Sequence, residues 1–195
     1  MNYGRIAKEY DDHYKSKQCE AENACIAKLL HSEPLGNVLD VGCGTGLALD
    51  LAGDVINWTK YLGIDVSAEM LKVARKKHKG YFFLECEADH FYPDEEEYDT
   101  ALCLFSIPYI GKHAADAIYG CLRPGGQVIC VCYDEPYLNP SSVYGKHKWK
   151  YLLTVAWKVR KVLNRFDSLF KKVSETPLAG EHAYKVIVYR KEVQA

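Results

Sequence analysis

Apolar residues gather in short runs along the first two thirds of the chain, and helical patterns lie between them. "NVLDV" (37–41), "YLGIDV" (61–66), "YFFLEC" (81–86), "YDTALCLF" (98–105) and "QVICVCY" (127–133) are almost wholly apolar. Runs of that length predict strands buried on both faces. Helices are predicted from Leu47, through "AEMLKVARKKHK" (68–79) and over "KHAADAIYGCL" (112–122). Ser67 is placed to cap the second of these, Glu69 faces its N-terminal dipole, and Lys and Arg crowd its end before Gly80. "RPGG" (123–126) reads as a type II turn with Pro124 and Gly125 at its centre. Strand–helix alternation of this kind predicts an α/β fold, an open and doubly wound sheet with helices on both faces.

The last third reads differently. Apolar residues at 152, 155, 159, 162, 166, 169 and 173 predict one long amphipathic helix over residues 144–172. "YKVIVYR" (184–190) then predicts a closing antiparallel strand in a sheet of seven, the rest mostly parallel.

Composition narrows the class without changing it. The chain has 195 residues, 48% of them hydrophobic and 26% charged, which fits one globular domain over 1–195. A net charge of -1 gives no global field for nucleic acid or membrane. No stretch is apolar enough to span a bilayer, and "MNYGRIAKEYDDHY" has no apolar core of a secretory signal, so a cytoplasmic location is expected. The eight cysteines sit mostly in apolar runs and form no CxxC pair, which reads as reduced core thiols with no metal site. Cys130 and Cys132 alternate along one strand and so face the same way.

The chemistry concentrates after the first strand, where Gly42, Gly44 and Gly46 alternate in "VGCGTG". Glycine in regular structure costs roughly 0.5–1 kcal/mol against alanine, so a loop with three of them answers some other demand. Glycines at a first strand-to-helix turn let backbone amides approach a ligand. The spacing is neither G-x-G-x-x-G, whose last position would fall on Leu47, nor a P-loop. Asp65, ending the second strand 19 residues after Gly46, is placed to accept both hydroxyls of a ribose. The ligand implied is a nucleoside without a diphosphate, carrying an amino acid instead.

"VLDVGCGTG", "GIDVSAEML", "ECEADHF…YDTALCLFSI" and "LRPGGQVI" resemble, in order and spacing, the successive motifs of the class I S-adenosylmethionine-dependent methyltransferases. The resemblance covers roughly residues 1–135 and is nearest to the small-molecule members. It implies a Rossmann-like sheet and S-adenosylmethionine as cofactor. Asp40, Gly42, Cys43, Gly44 and Gly46 would surround its methionine end, and Asp65 its ribose. Val66 would pack on the adenine, Glu87 would accept from the adenine amino group, and the Ala88 amide would donate to the ring. Glu87 departs from the Asp usual there. Leu104 and Phe105 would border the sulfonium. "YGRIAKEYDDHY" is similar to a lid segment, which makes residues 1–30 lid helices and lets Tyr10 close over the methionine carboxylate.

The resemblance supplies no universal catalytic residue. "SIPYI" (106–110) lies where the methyl group would point. It is similar both to the (D/N/S)-P-P-(Y/F) of nucleic-acid amino-methyltransferases and to the corresponding segment of small-molecule enzymes. Tyr109 and His113 are the candidate bases. Residues 144–172 hold nine Lys or Arg against one acid, and residues 85–99 hold eight acids. The basic helix is a candidate surface for an anionic acceptor, a nucleic acid or an acidic lipid, and equally a sheet cover with a solvated basic face. Trp149 and Trp157, in the segment 134–183, are candidates to wall an acceptor pocket. The expected activity is methyl transfer to a small molecule. The alternatives are transfer to nucleic acid or protein, and cofactor binding without catalysis.

Overall fold

The structure, a computed structural model, describes residues 7, 10–14, 17–93, 96–134, 145–179 and 184–193, without the side chains of 13, 18 and 145–153. Two helices come first, α1 (Tyr10–Tyr14) and α2 (Glu20–Ser32). Then follow β1 (Val38–Val41), α3 (Leu47–Ala52), β2 (Tyr61–Asp65), α4 (Ala68–Lys77), β3 (Phe82–Glu85) and β4 (Tyr98–Leu104). The chain continues through α5 (Ala114–Cys121), β5 (Leu122–Tyr133), α6 (Gly145–Leu169), β6 (Lys171–Pro177) and β7 (Tyr184–Arg190).

The seven strands form one sheet in the order β3-β2-β1-β4-β5-β7-β6. β1 pairs in parallel with both β2 and β4, so the strand order reverses between β1 and β4. The pairs β5–β7 and β7–β6 are antiparallel. Seven strands with an antiparallel last one is the expected arrangement. One strand of the seven lies where the pattern gave none: β6 is exposed at every residue and starts inside the stretch read as helix.

The pleat sorts the core into two layers. Leu39, Val41, Ala101, Cys103, Val128, Cys130 and Cys132 point to one face, where Ile118 of α5 and Val155, Val159, Val162 and Phe166 of α6 cover them. Val38, Leu102, Leu104, Ile129 and Val131 point to the other, under Ile26 and Leu30 of α2 and Ala48 and Leu49 of α3. Successive strand residues alternate faces, so continuous apolar runs are what a two-sided sheet requires. Cys130 and Cys132 do share a face, and six of the eight cysteines are buried. The sheet margin is less covered: Phe82 and Leu84 of β3 are exposed.

Local signals hold with small shifts. The Ser67 hydroxyl accepts from the Met70 amide at 3.3 Å, as an N-cap should. α4 ends at Lys77, and Gly80 takes a positive φ of 93° in the turn that follows. "RPGG" does not precede β5 but bulges within it: Leu122 pairs with Tyr98, and Gln127 with Thr100. Among the described residues, no helix is long and apolar enough to cross a membrane, and no group of three His, Cys, Asp or Glu could hold a metal ion.

Candidate active site

The loop after β1 is built by its own amides. Gly42 and Cys43 both donate to the Ile64 carbonyl, at 2.8 and 3.0 Å, which binds the loop to the end of β2. Gly46 donates back to the Cys43 carbonyl, and its own carbonyl receives Leu49 and Asp50, starting α3. Gly42 lies at φ 71°, and a Cβ there would stand 2.5 Å from the Ser106 Cβ. Only glycine meets both conditions, the left-handed backbone and the close approach of the turn after β4. Gly44, at φ 55°, has only the Tyr10 ring near its missing Cβ, 3.9 Å away.

Asp65 joins the two loops. One carboxylate oxygen accepts the Gly44 amide at 2.9 Å, the other the Ser67 amide at 2.9 Å. Burial raises its pKa, and those amides offset only part of the rise. Beneath the loop, Asp40 is 2% exposed and accepts the Tyr61 hydroxyl at 2.8 Å. Burial raises its carboxyl from 3.8 to about 7, against the hydrogen bond. Cys43 lies beside it, and burial holds its thiol well above the usual range.

These loops frame a cavity of about 370 Å³, a volume suited to a small organic ligand. It opens at the carboxyl ends of β1, β2, β3 and β4, at the point of strand reversal, where open α/β sheets bind ligands. Tyr10, Gly42, Gly44, Asp65, Val66, Glu87, Ala88, Leu104, Phe105 and Tyr109 line it. Asp40, Cys43 and Gly46 are absent from the wall and support the loop from behind. His113 is also off the wall, at the N-cap of α5.

The wall holds residues that the sequence reading did not single out. Met70, Cys86 and Ile110 add apolar surface. Ser106 Oγ and Asp89 Oδ1 are buried with no hydrogen-bond partner among the described residues. Both residues line the cavity, so a hydroxyl that can donate or accept and a carboxylate oxygen lie beside it with unmet hydrogen-bonding capacity. Phe105 is the sole non-glycine with positive φ among the described residues, at 61°. Such a backbone costs about 1–3 kcal/mol and gathers at functional sites. The Tyr14 ring packs on it at 5.5 Å and Tyr184 at 4.9 Å, which fixes it at the rim.

The cavity is less enclosed at Tyr109, which is 44% exposed. Trp157 is not on this cavity but on a separate groove between α6 and the β6–β7 margin, with Lys161 Nζ 4.7 Å from its ring centre. The side chains of Lys146, Lys148, Trp149 and Lys150 lie outside the described residues.

Residues 38–126 match the family model described as "Methyltransferase domain". The chain is 30% identical over 160 residues to a demethylmenaquinone methyltransferase of Chlorobaculum tepidum, covering 78% of this chain and 64% of that protein. A trans-aconitate 2-methyltransferase of Rhodopseudomonas palustris is 32% identical over 132 residues, covering 63% and 50%. The chain thus spans less than two thirds of the length of these curated relatives. Among solved structures, the N-methyltransferase NodS of Bradyrhizobium japonicum, in complex with S-adenosyl-L-homocysteine, has the same fold. Its TM-score is 0.67 at 16% identity, over 91% of this chain and 89% of that one.

Proposed function

We propose that the chain is a class I S-adenosylmethionine-dependent methyltransferase, a reading supported by the match of residues 38–126 to a methyltransferase-domain model, and that its cavity binds S-adenosylmethionine and directs its methyl group to a small-molecule acceptor. The observation that carries the reading is convergence. Gly42, Gly44, Asp65, Val66, Glu87 and Ala88 come from three separate strand ends and face one cavity.

The residues fit such a ligand. The side-chain-free faces of Gly42 and Gly44 would receive its amino-acid end, with Tyr10 above them. Asp65 would accept the ribose hydroxyls, and Val66, Met70 and Ala88 would enclose the adenine, with Glu87 at its amino group. Leu104 and Phe105 would stand beside the sulfonium. When bound, the cofactor supplies an electrophilic methyl group on a leaving group that departs as a neutral thioether. The chain's own work is then alignment and exclusion of water, which Phe105, Tyr14 and Tyr10 provide on the rim side. Tyr109, on the wall, is the candidate to hold or move a proton at the acceptor. His113, off the wall, is not assigned that part.

A small-molecule acceptor is supported by the relatives, which are named for quinone and carboxylate acceptors. Buried thiols such as Cys103, Cys121 and Cys130 support a reducing, cytoplasmic setting. Calorimetry with S-adenosylhomocysteine tests the cofactor site, and release of S-adenosylhomocysteine across panels of quinols, carboxylates and amines tests the acceptor. A folded protein that fails to bind S-adenosylhomocysteine overturns the reading.

A further inference from the structure

Behind the cavity wall, charged side chains from three elements meet. Lys77, the last residue of α4, places Nζ 2.6 Å from Asp11 Oδ2 of α1 and 2.6 Å from Asp50 Oδ2 of α3. The other Asp11 oxygen accepts the Thr45 hydroxyl of the glycine loop at 2.5 Å. His78 Nε2 stands 3.3 Å from the other Asp50 oxygen. The side chains of Lys77, Asp11 and Asp50 are 20%, 18% and 22% exposed, so solvent screens them only in part.

α1 needs an external anchor. It has five residues, and an isolated helix that short has no stability of its own in water. Asp11 follows Tyr10 directly, and Tyr10 is the α1 residue on the cavity wall. Whatever holds Asp11 therefore holds Tyr10 over Gly44.

We propose that Lys77 is a positioning residue: its ammonium, shared by Asp11 and Asp50, latches α1 onto the glycine loop and so sets how fast the cofactor leaves. The latch rests on the reading of the cavity as an S-adenosylmethionine site. Its charge arrangement makes the contributions unequal. Without the ammonium, the shared contact is lost and the Asp11 and Asp50 carboxylates face each other without the cation between them, which weakens the hold of α1 on α3. Without the Asp11 charge, Lys77 still has Asp50 and no repulsion is created. Lys77→Met is therefore more damaging than Asp11→Asn, and adding Asp11→Asn to Lys77→Met restores part of the loss. A mere packing role would give additive losses instead.

The test is stopped-flow dissociation of S-adenosylhomocysteine, with calorimetric affinity, for wild type, Lys77→Met, Lys77→Arg, Asp11→Asn and the double variant. Thermal unfolding of the ligand-free variants confirms that each is folded. Release from Lys77→Met is expected to be about five- to thirtyfold faster and from Asp11→Asn about two- to fivefold, on the scale of partly screened ion pairs. Lys77→Arg stays near wild type, and the double variant falls between wild type and Lys77→Met. Release from Lys77→Met at the wild-type rate, or a double variant no slower than Lys77→Met, overturns the proposal. If Lys77→Met does not fold, Asp11→Asn and Asp11→Ala carry the test, and wild-type release from both overturns it. If wild type does not bind S-adenosylhomocysteine at all, the cofactor reading falls, and the latch falls with it.

Discussion

Asp65 has both carboxylate oxygens occupied by amides of the two loops it joins, and still faces the cavity. Its loss should therefore remove ligand contacts and loosen Gly44 together. Asp65→Ala is expected to weaken S-adenosylhomocysteine binding by ~1.5–3 kcal/mol, roughly 10- to 150-fold. Calorimetry on the folded variant checks this, and unchanged affinity would remove Asp65 from the site. Asp40 makes a different prediction. Its carboxyl ionises near 3.8 when free and at about 7 in the fold. Between those values the folded state holds the proton that the unfolded chain has lost. Asp40 therefore lowers stability progressively as pH rises from about 4 to about 7, with no further change above that. Asp40→Asn should flatten that part of the slope in melting temperature against pH, and identical wild-type and variant slopes would contradict it. The contrast between these two acids was only half legible in the sequence. Position after a strand singled out Asp65, which lies on the cavity wall, but nothing in "LDVG" says that Asp40 turns beneath the loop to Tyr61 and off that wall. Ser106 and Asp89 were illegible for a related reason. A serine after a strand and one acid among eight read as solvated until the turn and the loop close over them.

At the scale of elements, the amphipathic period of α6 was a sound guide. Val155, Val159, Val162 and Phe166 are buried, and Lys158, Arg160, Lys161 and Arg165 are exposed on the opposite side. The described part of the helix is thus a sheet cover with a solvated basic face. Phe166 is fully buried, stacked on Tyr189 at 5.5 Å and beside Phe170 at 5.7 Å. Phe166→Ala should cost about 3–5 kcal/mol in denaturant unfolding. A loss below 1 kcal/mol, on the same scale as a surface change, would show that α6 is not part of the core. The cofactor motifs are complete before α6 begins, so replacing Lys146, Lys148 and Lys150 by Gln should leave cofactor affinity unchanged. Calorimetry checks that, and a loss in a folded variant would mean that the helix reaches the cofactor. β6 escaped the sequence reading because it gives no alternation to read. It pairs with β7 alone, all its residues are exposed, and its register slips between Lys172 and Ser174. A polar, irregular edge discourages further strands from adding to it, and the same polarity hides it from pattern.

Over the whole molecule, the site is an assembly of distant segments. Tyr10, the glycine loop, Ile64 to Met70, Cys86 to Asp89 and Leu104 to Gly111 reach one cavity because β1 neighbours both β2 and β4. No segment alone contains Asp65, the glycine loop and the strained Phe105. A ligand that touches all of them must couple them. Binding should stabilise the native state by RT ln(1 + [L]/Kd), ~2.7 kcal/mol at a hundredfold excess over Kd. That free energy should appear as slower amide exchange in all five segments at once. α1 should gain most, because five residues have little protection of their own. β6 lies at the far edge of the sheet and should gain only what global stabilisation gives. Hydrogen-exchange mass spectrometry with and without S-adenosylhomocysteine checks this. Protection confined to the glycine loop would mean that the other four segments border the cavity without holding the ligand. Protection centred on β6 and the groove around Trp157 would move the binding site to the opposite end of the sheet.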